Sequence, residues 1–217
     1  MAEIVPAILT NDISDFRKKY AELFALSHYF TKLHIDFIDG KFLPNKTVMP
    51  KDLALESSPF ELMAHFMTLH PQIYFFHAKK AGFKWVIFHW EAFEDKNEIL
   101  DVLDHAEHLG LKTGLAFNPE TKFYDAAKYL DKVNLLQVMG VHPGAQGRPF
   151  EKNTIDRIKE LKSLTKNVII SVDGGEKVGI AKQCAHAGAN HIIAGSAILN
   201  SGHPKQALEE LNQDIKT

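Results

Sequence analysis

The sequence predicts an α/β fold, a (β/α)8 TIM barrel formed as a single domain over 1–217, and three observations carry that prediction. Eight short apolar runs recur along the 217 residues. Nearly every run is followed by a longer, helix-like stretch, and no Pro/Gly/Ser-rich linker or low-complexity tract divides the chain. Strand–helix alternation implies a parallel sheet covered by helices. Eight units of this size favour the closed barrel, with a doubly wound open sheet as the alternative.

The units follow in order. EIVPAIL is the first strand, and DISDFRKKYAELFAL the helix after it. KLHIDF is the second, followed by the loop-like KFLPNKTVMPKDLALESS with one or two helical turns. ELMAHF leads to PQIYFFHAKKAG, WVIFH to KNEILDVLDHAEHLG, and KTGLAF to TKFYDAAKYL. NLLQVM runs through a glycine-bearing turn into NTIDRIKELKSL, NVIISV into KVGIAKQCAHAGA, and HIIA ends the series at IAGSAI.

Composition narrows the function. At 45% hydrophobic and 24% charged residues the chain reads as an ordinary soluble globular protein able to bury a core. A net charge of -2 without a lysine/arginine block argues against a nucleic-acid partner. One cysteine, Cys184, permits no internal disulfide and fits a cytoplasmic setting. Its surroundings, KQCAHAGA, read as a helix packing face rather than a catalytic thiol site. The start MAEIVPAILT lacks the basic and apolar regions of a secretion signal, and no run approaches a membrane span. The aromatic-rich HPQIYFFHAKKAGFKWVIFHW could supply a homo-oligomer contact; a buried helix–strand unit accounts for it equally.

Residues two apart on a strand share a face. In LHIDFIDG, Leu33, Ile35 and Phe37 share one face, and His34 and Asp36 the other. With the apolar face turned to the helices, His34 and Asp36 point into the barrel near the carboxyl end of the strand, where such barrels place active sites. The pattern recurs. Leu62, Ala64 and Phe66 oppose Met63, His65 and Met67; Val168, Ile170 and Val172 oppose Ile169, Ser171 and Asp173. Taken singly, an inward histidine is more often a hydrogen-bonded core residue, and an aspartate before Gly-Gly a turn or cap. Taken together, two imidazoles and two carboxylates suit a divalent transition metal, and without a cation they would bury uncompensated charge. Zinc, iron(II), manganese and cobalt all fit that donor set. Carboxylates reached from opposite sides of a barrel also suit acid–base work, one removing a proton from carbon and the other returning one to the opposite face. A metal would stabilise the intervening enediolate.

The second half adds an anion signature. VHPGAQGRPF, VDGGEKV and IAGSAI are glycine-bearing turns after strands six, seven and eight. Glycine lets backbone N–H groups approach an anion, and a following helix N-terminus favours negative charge. Barrels often bind phosphate there, although glycine also ends many strand–helix loops for purely structural reasons.

From VPAILT to AGSAI the chain resembles the ribulose-phosphate 3-epimerase family in the order and spacing of its motifs. The family's Pro-Ser-Ile-Leu, His-x-Asp-x-Met-Asp-Gly and Phe-Val-Pro-Asn stretches read PAIL, HIDFIDG and FLPN here, and its FHPEA, GLAFNP and VDGG are similar to FHWEA, GLAFNP and VDGG. The resemblance implies that His34, Asp36, His65 and Asp173 bind one divalent metal ion. It makes Asp36 and Asp173 the acid–base pair at C3 of a small-molecule sugar phosphate, converting D-ribulose 5-phosphate to D-xylulose 5-phosphate through an enediolate. By the same resemblance Met67 and Met139 line the site, although both could be plain apolar filler. Ala7, His65, Gly144, Ala145, Gln146, Gly147, Gly174, Gly175, Gly195 and Ser196 match the substrate- and phosphate-binding positions.

The departures bear on substrate more than on reaction. Ala7 stands where the family has a serine, Ile38 where it has a methionine, and GAQGR where it has Gly-Phe-Gly-Gly-Gln. Arg148 could reach a phosphate, or be a surface arginine. Three alternatives follow: the same chemistry on another ketose phosphate such as a hexulose 6-phosphate, a related barrel lyase, and a non-catalytic sugar-phosphate binder. The lyases use Asp-x-Lys-x-x-Asp, and the lysine position is Ile38 here.

Overall fold

The computed structural model describes residues 2–145 and 147–217. Eight parallel strands lie in chain order: β1 (Glu3–Ile8), β2 (Lys32–Ile38), β3 (Glu61–Met67), β4 (Trp85–His89), β5 (Lys112–Phe117), β6 (Leu135–Met139), β7 (Ile169–Asp173) and β8 (His191–Ala194). Pairing of Glu3 with His191 through Pro6 with Ala194 closes the sheet into a barrel. Helices α1 (Ile13–Phe24), α2 (Phe75–Lys80), α3 (Glu98–His108), α4 (Thr154–Leu164), α5 (Ile180–Ala187), α6 (Ser196–Leu199) and α7 (Pro204–Asp214) surround it. None of the described helices is long and apolar enough to cross a membrane.

The two-residue strand period sorts the core into two layers. Leu33, Ile35 and Phe37 of β2, with Leu62, Ala64 and Phe66 of β3, are fully buried against the helices. Each large side chain removed from water this way contributes about 1.5–3 kcal/mol. The alternate residues fill the barrel: Val5, Met63, Trp85, Ile87, Leu135 and Ile193 form a second, inner cluster. Gly114 sits among them, where a Cβ would come within 3.0 Å of Ile87 and Leu135.

The sequence expectation of an α-helix over 121–130 is corrected: a 3-10 helix, Tyr124–Tyr129, takes its place. A 3-10 winding rises about 2.0 Å per residue against about 1.5 Å for an α-helix, so a short segment spans more of the gap between β5 and β6. The segment 71–82 divides into a 3-10 turn, Pro71–Tyr74, and α2. His70, before Pro71, adopts φ 52°, outside the right-handed helical region that a following proline disfavours. In the aromatic stretch 70–90, Phe75, Phe83, Trp85 and Phe88 are buried, whereas Ile73 and Phe76 are exposed. Helix α6 begins within the IAGSAI stretch, and α7 lies beyond the runs read from the sequence. Pro204 opens α7, and Leu208 and Leu211, three apart, carry its buried face.

Candidate active site

Strand register assembles the site. Asp36 of β2 lies beside His65 of β3, and Met139 of β6 beside Asp173 of β7. His34 Nε2 is 3.2 Å from Asp36 Oδ1 and 3.5 Å from Asp173 Oδ2. His65 Nδ1 is 2.8 Å from Asp36 Oδ1 and 3.2 Å from Asp173 Oδ2. All four residues are buried, and one ligand atom from each falls within 4.8 Å of the others. The four residues singled out by alternation alone therefore meet in one place.

The donor set fits a divalent cation. Ligands about 2.1 Å from a central ion stand roughly 3.0–3.4 Å apart, close to the spacings of these nitrogen–oxygen pairs. His65 answers the carboxylates. Burial opposes a charge on His65, but hydrogen bonds to Asp173 and Asp36, with their charges, outweigh it and raise the imidazole to about 9. Burial likewise opposes ionisation of Asp36, and the hydrogen bonds and charges of His34 and His65 overcome it, holding this carboxyl well below its usual range. A cation seated there would compete with a proton for His65.

Residues of neighbouring strands brace the cluster. Gln137 Nε2 donates to Asp173 Oδ2 at 3.0 Å, and Gln137 Oε1 accepts from the Ser171 hydroxyl at 3.3 Å. His89 Nε2 lies 2.9 Å from His65 Nε2, and His89 Nδ1 lies 3.3 Å from Glu91 Oε2. Sequence reading missed Gln137, His89 and Glu91. The same alternation would have found the first two, since Gln137 lies between inward Leu135 and Met139, and His89 follows inward Trp85 and Ile87.

Above the cluster is a cavity. Asp36 and Asp173 border it, and Met67, Met139 and Ala7 form its apolar wall. The turn after β6 contributes Gly144, Ala145 and Gly147. The turns after β7 and β8 contribute Gly174, Gly175, Gly195 and Ser196. His34 and His65 lie beneath it and do not line it. Gln146, expected with this group, lies outside the described residues. Arg148 is exposed and not among the lining residues.

The glycines have a packing reason of their own. Gly174 has φ +98°, and a Cβ there would collide with Val141; Gly175 has φ +78°, and its Cβ would meet Phe150 at 3.0 Å. Asn45, after β2, donates from Nδ2 to the Gly144 carbonyl at 2.7 Å, tying that loop across the mouth.

Glu176 is the residue not expected here from the sequence. It lines the cavity and is buried, with Cys184 Sγ 3.8 Å from its Oε2. Burial, then the charge of Asp173, raises this carboxyl well above its ordinary value. Cys184 is buried too, and burial together with Glu176 pushes its thiol upward, as suits a packing residue.

A closed parallel barrel with titratable side chains gathered at the carboxyl ends of its strands defines an enzyme of the barrel class. Comparison with known proteins gives its family. The profile of the ribulose-phosphate 3 epimerase family matches residues 3–199, and the chain belongs to that family; it is an isomerase. Among curated relatives, ribulose-phosphate 3-epimerase of Bacillus subtilis is 30% identical, with 97% of this chain and 98% of that protein covered. Its counterpart in Schizosaccharomyces pombe is 28% identical over 99% of this chain and 94% of the relative. Among solved structures, a 3-hexulose-6-phosphate synthase superposes with a TM-score of 0.73 at 22% identity, covering 99% of this chain and 100% of that one, a likeness of fold.

Proposed function

We propose that the chain is a metal-dependent 3-epimerase that inverts C3 of D-ribulose 5-phosphate to give D-xylulose 5-phosphate, with Asp36 and Asp173 as its acid–base pair. The observation that carries this reading is that aspartates from β2 and β7 converge on the same two imidazoles while both border one cavity. Inversion at carbon needs a proton taken from one face and returned to the other. Two carboxylates from separate strands meet that need.

Each aspartate has a free oxygen for the task. Asp36 turns Oδ1 and Asp173 turns Oδ2 to the histidines. Among the described residues no hydrogen bond engages Asp36 Oδ2 or Asp173 Oδ1. In this reading these atoms hold the travelling proton. C3–H is acidic because it adjoins the C2 carbonyl, so the carbanion delocalises as an enediolate. A divalent ion held by His34, Asp36, His65 and Asp173 would supply a Lewis acid for the charge developing on the substrate oxygens. Met67, Met139 and Ala7 keep water from the reacting face. Gly144, Ala145, Gly147, Gly174, Gly175, Gly195 and Ser196 receive the phosphate end.

A second reading is the same chemistry on another ketose phosphate, such as a hexulose 6-phosphate. The presence of Ala7 and Glu176 on the cavity wall favours it. Turnover of a ketose-phosphate panel by metal-loaded protein tests both. The pentulose reading expects the highest kcat/KM with ribulose 5-phosphate, and Asp36→Asn and Asp173→Asn to lower kcat by roughly 10²–10⁴. A higher kcat/KM with a hexulose phosphate would give the substrate to the second reading, and unchanged kcat in both variants would remove the acid–base assignment.

A further inference from the structure

We propose that His89 and Glu91 are positioning residues that hold His65 in the one tautomer able to ligate a metal. This rests on the metal reading above and adds to it two residues that do not line the cavity.

Donors and acceptors alternate from buried His65 through buried His89 to partly buried Glu91. His65 Nδ1 faces Asp36 and Asp173; its other nitrogen, Nε2, lies 2.9 Å from His89 Nε2, with ring centroids 5.0 Å apart and ring planes 21° from parallel. Two imidazole nitrogens at that distance must share one hydrogen. His89 Nδ1 meets Glu91 Oε2 at 3.3 Å, and an ionised carboxylate only accepts. Burial opposes the charge on Glu91, but its hydrogen bonds to His89, Thr121 and the Asn118 N–H keep it on the ionised side. His89 therefore carries its hydrogen on Nδ1 and presents a bare Nε2. That nitrogen can only accept, so His65 must donate from Nε2. Neutral His65 is then left with a bare Nδ1, the atom that faces the cluster.

Glu91 is itself held firmly. Its Oε1 accepts the Asn118 N–H at 2.9 Å and the Thr121 hydroxyl. Gln137 Nε2 lies 3.4 Å from His65 Nε2 and could compete as a donor, but it has a closer acceptor, Asp173 Oδ2 at 3.0 Å. The polarity of the chain thus runs from the metal seat outward and is set by a carboxylate two residues along from His89.

Glu91→Gln tests this with almost no change of shape. The amide oxygen still accepts from Asn118 and Thr121, while the amide N–H now faces His89 Nδ1. That reverses the chain and leaves His65 Nδ1 protonated. Metal-free protein is titrated with Co(II), followed by visible absorption and chelator competition, and the melting temperature of each metal-free protein is measured beside it. Wild type is expected to bind one Co(II), and Glu91→Gln to bind it about 10–100-fold more weakly with little change in metal-free melting. His89→Gln can accept from His65 and donate to Glu91, so its affinity is expected to stay near wild type. His89→Leu is expected to lose affinity as Glu91→Gln does. Should Glu91→Gln not fold, the two position-89 variants decide the question, because a merely structural role gives no reason for glutamine to rescue metal binding. Wild-type affinity in Glu91→Gln, or equal affinities for glutamine and leucine at position 89, would overturn the positioning role alone. A wild-type chain that takes up no Co(II) would overturn the metal reading and this inference with it.

Discussion

Glu176 holds its proton more tightly than a solvated carboxyl does. Its carboxyl is buried and raised well above the ordinary carboxylate range, by burial first and the charge of Asp173 second. Above pH ~4.5 the unfolded chain releases this proton while the folded protein keeps it, so the folded state binds more protons and stability falls as pH rises. Glu176→Gln removes that loss. The variant is expected to match wild type near pH ~4 and to melt at a higher temperature than wild type at neutral and mildly alkaline pH, read from melting curves across pH. Identical pH profiles for the two proteins would count against a proton held at this site. Glu176 also shows what sequence reading does not deliver at this scale. A Glu after Gly-Gly looks like a solvated turn residue, and only the packing of α5 over the turn, with Cys184 against it, reveals the burial. His34, Asp36, His65 and Asp173 were legible for the opposite reason: a titratable side chain at an inward strand position breaks the hydrophobic alternation. Glu91 lies beyond the end of β4, where no period applies.

At the scale of elements, periodicity located all eight strands to within about two residues, because each buries one face on helices and the other in the barrel. Helix boundaries depend on caps. Asp12 accepts the N–H groups of Ser14 at 2.6 Å and Asp15 at 3.0 Å, closing the first turn of α1. Asp12→Ala is expected to cost about 1 kcal/mol in chemical denaturation with an unchanged denaturant slope. A loss within error of zero would mean that the packing of Phe16 and Leu23, not the cap, sets the stability of this helix. The 3-10 segment Tyr124–Tyr129 was not legible as such. Its pattern, apolar residues three and four apart, serves an α-helix as well, and the distance it must span is a property of the closed barrel.

At the scale of the whole molecule, barrel closure assembles the proposed metal seat from distant parts of the chain. His34, Asp36, His65 and Asp173 span three strands, and no local segment holds more than two of them. A metal bound there stabilises only the closed fold. With free metal at about 100 times its dissociation constant, linkage adds ~2.7 kcal/mol. At roughly 2–4 °C per kcal/mol for a chain of this size, chelation is expected to lower the melting temperature by about 5–10 °C. Removal of His34 by His34→Ala is expected to abolish most of that difference. A chelator-insensitive melting temperature in metal-loaded protein would speak against the seat. Closure also brings the two aspartates, from β2 and β7, to the border of one cavity. The most direct test follows ribulose 5-phosphate and metal-loaded protein in D2O by proton NMR, beside Asp36→Asn and Asp173→Asn. The two-base account predicts solvent deuterium at C3 as xylulose 5-phosphate forms, with both exchange and product lost in the variants. Product formed with the C3 proton fully retained, or unimpaired exchange in both variants, would contradict it.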